Sequence, residues 1–168
     1  MIIKNKKINL NSKPFIIAEL SANHNGSLKN ALKLVDQAAW CGVSAIKIQT
    51  INPDEITLNS KKKDFIIKNK KSIWYKKSFY DLYKKSSIPL IWQEKIFRKA
   101  KKIGLICFSS PFDEKSVDFL EKIKTPCYKI ASFENQHFPL LKKIASTGKP
   151  IIMSLGSLSL EETYESYS

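Results

Sequence analysis

The sequence predicts an α/β fold of the (β/α)8 TIM-barrel type, truncated to about its first five β-strands. Two observations point there. Short apolar runs alternate with amphipathic stretches along nearly the whole chain, which implies parallel strands joined by right-handed crossovers and covered by helices. An open doubly wound sheet fits that alternation too, but it usually carries a glycine-rich phosphate loop after a strand. The five glycines here include no G-x-G-x-x-G arrangement. An eight-unit barrel interrupted about halfway is the expectation that remains.

The elements follow in order. Phe15-Ile16-Ile17-Ala18 is the first apolar run and ends at Glu19. Beyond the loop Asn23-His24-Asn25-Gly26, Ser27 is placed to cap a helix. Leu28, Ala31, Leu32, Val35, Ala38 and Ala39 recur at spacings of three and four, so they line one face of it, and Gly42 ends it. Ala45 to Thr50 is the second strand. A helix around Trp92 to Ile103 stops at Gly104, and Leu105 to Ser110 is the third strand. Asp113 caps a helix bearing Val117, Phe119, Leu120 and Ile123, and Cys127 to Ser132 is the fourth strand. A helix near Leu140 to Ser146 ends at Gly148, Pro150 to Ser154 is the fifth strand, and Ser159-Leu160-Glu161-Glu162 begins another helix.

Residues 51–91 leave this cycle. They are rich in lysine and in aromatics (Trp74, Tyr75, Phe79, Tyr80, Tyr83), read here as packing residues of a long excursion on the substrate face. The net charge of +14 raises a nucleic-acid reading. Against it, Arg98 is the only arginine, and the lysines are scattered between apolar anchors as a solvated surface would be. No apolar run is long enough to span a bilayer, and the N-terminus lacks a secretory signal, so neither nucleic acid nor membrane is expected as a partner and a cytoplasmic location is. Cys41, Cys107 and Cys127 have neither zinc nor redox spacing and read as reduced, structural thiols.

Chemistry is expected where strands end, because parallel strand tips converge on one face of a barrel. Glu19, Lys47 with Gln49, Ser109 with Ser110, Lys129 with Ser132 and Glu134, and Ser154 all lie there. A lysine inside an apolar strand is costly unless its charge meets an anion. Two such lysines with several hydroxyls suit a phosphate cradle, and unrelated strand-end ion pairs are the plainer alternative. Five successive strands ending this way favour a site.

Several segments resemble, in order, motifs of the N-acetylneuraminate (sialic acid) synthase family. They are Ile17-Ala18-Glu19-Leu20-Ser21-Ala22-Asn23-His24-Asn25-Gly26, Ala45-Ile46-Lys47-Ile48-Gln49-Thr50, Ser109-Ser110-Pro111-Phe112-Asp113, Tyr128-Lys129-Ile130-Ala131-Ser132-Phe133-Glu134 and Gly148-Lys149-Pro150-Ile151-Ile152-Met153-Ser154. Leu20-Ser21-Ala22, Ser109-Ser110-Pro111 and Ala131-Ser132-Phe133-Glu134 are similar to the pseudaminic branch. The resemblance implies condensation of phosphoenolpyruvate with an open-chain 2,4-diacetamido-2,4,6-trideoxy hexose, giving a nonulosonic acid and phosphate. It implies that Lys47, Ser110, Lys129, Ser132 and Ser154 hold phosphoenolpyruvate and that Glu19 and Glu134 lie at the reacting carbons. It also implies a divalent metal, manganese or magnesium, with ligands beyond Ser168, and so no metal site in this chain. The rest of the barrel and a small antifreeze-like domain are likewise expected beyond it. His24 and His137 are read as a loop hydrogen-bonder and a helix-start residue. Leu155 departs from the family, which usually has threonine there. On these grounds the chain is expected to be inactive alone and to form a homo-oligomer or pair with a missing half; a non-catalytic binding or partner-subunit remnant is the alternative.

Overall fold

In the computed structural model, which describes residues 1–167, five strands form one sheet in chain order. They are β3 (Ile17–Glu19), β4 (Ala45–Thr50), β5 (Ile106–Pro111), β6 (Tyr128–Ile130) and β7 (Ile151–Met153), and every neighbouring pair is parallel. Ahead of them stands a short antiparallel hairpin that sequence reasoning did not anticipate, β1 (Ile2–Ile3) with β2 (Lys6–Lys7).

The intervening helices are α1 (Leu28–Trp40), α2 (Pro53–Ile56), α3 (Phe79–Ser86), α4 (Leu90–Lys102), α5 (Glu114–Lys122), α6 (Phe138–Ala145) and α7 (Leu160–Tyr167). Their starts follow the capping chemistry of the sequence. Ser27 Oγ accepts the Asn30 N–H at the head of α1. At the head of α5, Asp113 accepts both the Ser116 N–H at 2.7 Å and the Ser116 hydroxyl at 2.6 Å. Ser159 and Glu162 exchange side-chain and backbone bonds in a capping box before α7. Past α1 and α4 the chain turns at Gly42 and Gly104, whose φ values of +73° and +75° would strain a residue with a Cβ.

Alternation along the strands sorts side chains into two layers. Ile46, Ile48, Cys107, Tyr128 and Ile130 face outward and pack with Ala31, Val35, Ile96, Ala100, Val117, Leu120, Leu140 and Ile144 of the helices. Ala45, Ile106, Phe108 and Cys127 face the concave side and pack with Ile3, so the hairpin plugs one end of the half-barrel. Burial pushes the Cys107 and Cys127 thiols upward in pKa, in keeping with inert structural cysteines.

Two expectations need correction. The fourth strand stops at Ile130 instead of reaching Ser132, because residues Ser132–Glu134 turn into a 3-10 helix and leave the ladder. Ser109 faces the helices: its Oγ lies 2.7 Å from Thr50 Oγ1, which donates to Gln93 Oε1, also at 2.7 Å. This buried network ties β4, β5 and α4 together. In the excursion, Trp74, Phe79, Tyr80 and Tyr83 are half-buried, while Lys76 and Lys77 lie 5.5 and 5.3 Å over the rings of Tyr75 and Trp74.

Candidate active site

The register assembles the site. Glu19 pairs with Lys47 across β3 and β4, and Gln49 pairs with Ser110 across β4 and β5. Because Ser109 is opposite Tyr128, Ser110 and Lys129 share the concave face, and Lys129 in turn is opposite Ile152 of β7. Glu19, Lys47, Gln49, Ser110 and Lys129 therefore project from one side of four adjacent strands. Along that side each strand changes from apolar to polar within one two-residue step: Ile17 to Glu19, Ala45 to Lys47, Phe108 to Ser110, Cys127 to Lys129, and Ile152 to Ser154. The polar ends are the C-terminal ones, where a parallel barrel gathers its chemistry.

Lys47 makes an ion pair with Glu19, whose other oxygen accepts the Ser21 N–H at 2.9 Å. Ser21 Oγ donates to Gln49 Oε1 at 3.4 Å. Lys129 is held differently. Its ammonium donates to Ser154 Oγ and, at 2.7 Å, to the Ile130 carbonyl, and it joins no ion pair among the described residues. Burial first, then the like charge of Lys47, lowers its pKa from the ordinary lysine value, with Glu134 and Glu19 opposing.

Glu134 reaches the site from the 3-10 turn. Burial raises its carboxyl pKa, against a backbone hydrogen bond and the charge of Lys129. Its Oε2 is buried with no hydrogen-bond partner among the described residues, an uncompensated acceptor that a ligand hydroxyl or water would satisfy. Ser132 sits on the same turn against the loop after β7: a Cβ added at Gly156 would lie 3.1 Å from Ser132 Oγ.

All seven sequence-derived site residues thus belong to one end of the half-barrel, five of them on strands or strand ends and two on the turn after β6. Sequence reasoning missed Asn135. It is buried, and its Nδ2 donates to the carbonyls of Ser154 at 3.1 Å and Gly156 at 3.2 Å, clamping the loop that presents Ser154. Nothing in a lone asparagine after Glu134 signals that role. Of the histidines, His24 is buried in loop hydrogen bonds, its Nδ1 accepting the Gly26 N–H at 3.0 Å and its Nε2 lying 3.2 Å from the Ser86 carbonyl. His137 stands at the start of α6.

The metal implied by the resemblance finds no ligand set here. Among the described residues no three His, Cys, Asp or Glu side chains gather, and Glu19 is already engaged by Lys47. No chemical step is assigned to a metal in this chain.

A curled parallel half-barrel with lysines, serines and carboxylates at its strand tips defines the class: an α/β-barrel-type protein with a polar, lysine-bearing face at the C-terminal ends of its strands. The chain belongs to the NeuB family, which residues 34–168 match. It is 47% identical to the pseudaminic acid synthase of Campylobacter jejuni over 157 residues, 94% of this chain and 45% of that protein. It is 43% identical to the pseudaminic acid synthase of Helicobacter pylori over 155 residues, 92% of this chain and 45% of that protein. The crystal structure of the N-acetylneuraminic acid synthetase of Leptospira borgpetersenii, in complex with citrate, superposes with a TM-score of 0.85 at 28% identity, covering 99% of this chain and 53% of that one. The chain spans about half the length of the relatives it matches. None of the helices among the described residues is long and apolar enough to cross a membrane.

Proposed function

We propose that this chain is the phosphoenolpyruvate-binding portion of a pseudaminic acid synthase. The observation that carries the reading is the pairing of Lys47 and Lys129 on one concave face, beside the unsatisfied carboxylate oxygen of Glu134. Phosphoenolpyruvate presents a phosphate and a carboxylate a few bonds apart. Two ammonium groups with the Ser110, Ser132 and Ser154 hydroxyls supply charge-assisted donors for both. The desolvated Lys129, lacking a carboxylate partner, gains most from a bound anion.

In the proposed reaction, C3 of phosphoenolpyruvate forms a bond to the aldehyde carbon of the 2,4-diacetamido sugar. Water adds at C2, and the tetrahedral intermediate expels phosphate by breaking its C2–O bond. Glu134, with its raised pKa and free oxygen, holds the sugar hydroxyl or the water and relays a proton. Glu19 keeps Lys47 oriented toward the same point. Five strands make up only part of an eight-stranded barrel, so turnover is proposed to need the remaining strands.

Calorimetric titration with phosphoenolpyruvate tests the binding claim. Saturable binding that is lost in Lys47→Ala and absent with pyruvate, which lacks the phosphate, is the expected result. Equal heats from the parent and a Lys47→Ala/Lys129→Ala double variant would overturn it. Phosphate release from phosphoenolpyruvate and the sugar, measured with and without a polypeptide supplying the missing strands, tests the catalytic claim; release by the chain alone would refute the need for them.

A further inference from the structure

At the opposite end of β5 the chain turns a cleft of about 500 Å³ toward solvent, between the C-termini of α4 and α5 and the hairpin. Lys4, Arg98, Lys101, Lys122 and Lys124 line it, against the single carboxylate of Glu94. None of these five cations takes part in an ion pair among the described residues. Helix C-termini attract cations, and this accounts for part of the cluster: Lys101 and Lys122 lie in the last turns of α4 and α5. Each terminus offers only about half a negative charge, so about three positive charges stay uncompensated. Lys4 comes from the hairpin and Lys124 follows α5 with φ at 61°, so neither belongs to a helix's last turn.

The floor of the cleft is apolar, made by Phe97, Leu105 and Pro126. A rim of unpaired cations over an apolar floor, in a volume ordinary for small-molecule sites, suits a molecule with an anionic head and a ring-bearing body. We propose that this cleft is a second anion site that binds a nucleoside phosphate, with Arg98 and Lys101 on the phosphates and the base against the floor. Arg98, the only arginine in the chain, supplies a planar fork for phosphate oxygens. The site is separate from the strand-tip site: Leu105, just before β5, and Ser110, within it, are five residues apart, about 17 Å of extended chain.

Calorimetric titration of the full chain with ADP tests this, with inorganic pyrophosphate in parallel and in a Lys47→Ala background to silence the strand-tip lysines. The expected result is one ADP per chain, affinity reduced about tenfold or more in Arg98→Ala/Lys101→Ala, and pyrophosphate bound at least about tenfold more weakly than ADP. Arg98 and Lys101 are exposed, so circular dichroism should show that their replacement leaves the chain folded. The absence of ADP binding would overturn the proposal, as would an equal loss in a Lys61→Ala/Lys62→Ala control, which would mark general surface charge. Pyrophosphate binding as tightly as ADP would overturn the role of the floor.

Discussion

Replacing Lys129 by methionine separates a lysine kept for a ligand from one kept for the fold. The side chain loses hydrogen bonds to the Ile130 carbonyl, at 2.7 Å, and to Ser154 Oγ. Bonds from a charged donor contribute about 1.5–3 kcal/mol each when buried, less where water can replace them as at this half-buried position. Against that loss, the methionine escapes the desolvation of the ammonium and the repulsion of Lys47, the two largest causes of its lowered pKa. These terms oppose each other, so stability should stay within about 1 kcal/mol of the parent, a melting shift of no more than about 2–4 °C. Binding has no such offset. Losing one member of a charged contact costs about 2 kcal/mol or more, roughly 30-fold in the affinity for phosphoenolpyruvate. Lys149 is the control: it contacts Glu121 Oε1 at 2.6 Å, beside the Tyr128 hydroxyl at 2.5 Å. Burial pushes the Glu121 carboxyl up, but bonds from Lys149 and Tyr128 outweigh it and leave the pKa lowered. Lys149→Met should cost up to about 1 kcal/mol and leave binding unchanged. Urea melts and calorimetry on both variants decide the matter. A Lys129→Met chain destabilised by more than about 2 kcal/mol with its affinity intact would refute the reasoning.

Glu134 has a pKa raised in the folded chain, so the native state holds its proton to higher pH than the unfolded state does. Its contribution to stability is full below the ordinary glutamate value and is lost as pH rises through the raised one. Glu134→Gln should abolish that slope in urea midpoints taken across the acid range and leave the chain no less stable at neutral pH; an unchanged slope would exclude Glu134 as its source. Asn135→Ala leaves the Ser154 and Gly156 carbonyls without their buried donor, for an expected loss of about 1–3 kcal/mol together with weaker phosphoenolpyruvate binding. A loss of stability with full affinity would assign Asn135 to the fold alone. The outer edges of β3 and β7 have no strand partner among the described residues. Ile16, just before β3, and Leu155, just after β7, are exposed at 57% and 56%, and Phe133 on the turn after β6 at 90%. Such edges and apolar side chains favour association, so light scattering should show mass rising with concentration, and a constant monomer would count against it.

The strand–helix alternation was legible because each element carries its own period and stop signal, as α1 does between Ser27 and Gly42. What escaped depends on contacts distant in sequence. The hairpin strands are two residues each, too short for any pattern, and are secured by Ile3 entering the concave core. Ser109 and Ser110 must point oppositely from sequence alone, but only pairing with Ile48 and Gln49 shows which of them joins Lys47. The early end of β6 had no local signal, since Ala131 keeps extended angles, with φ −75° and ψ 165°, before the turn begins. Lys47 was expected to need an anion, from a phosphate or from a strand-end ion pair, and in the folded chain the Glu19 carboxylate lies against it.

The apolar-to-polar step is what makes the site more than a set of strand-end ion pairs. Ion pairs formed separately would satisfy each charge with its nearest neighbour and would have no reason to gather on one side and one end of the sheet. Here all five strands make the change on the same concave side and toward the same end, the step moving two residues onward from β4 to β5 and again from β6 to β7. Before it, Ala45, Ile106, Phe108 and Cys127 pack with Ile3. A core would be larger if that layer continued upward: each further buried side chain of leucine or valine size would add about 1.5–3 kcal/mol. The chain instead ends every inward series with a group that hydrogen-bonds or carries charge, and leaves Lys129 and Glu134 without an ion-pair partner among the described residues. Stability does not explain that choice, because it forgoes burial and desolvates charge. A ligand with anionic groups for the lysines and a hydroxyl or water for the glutamate does explain it, since binding would supply the contacts that the folded chain leaves open.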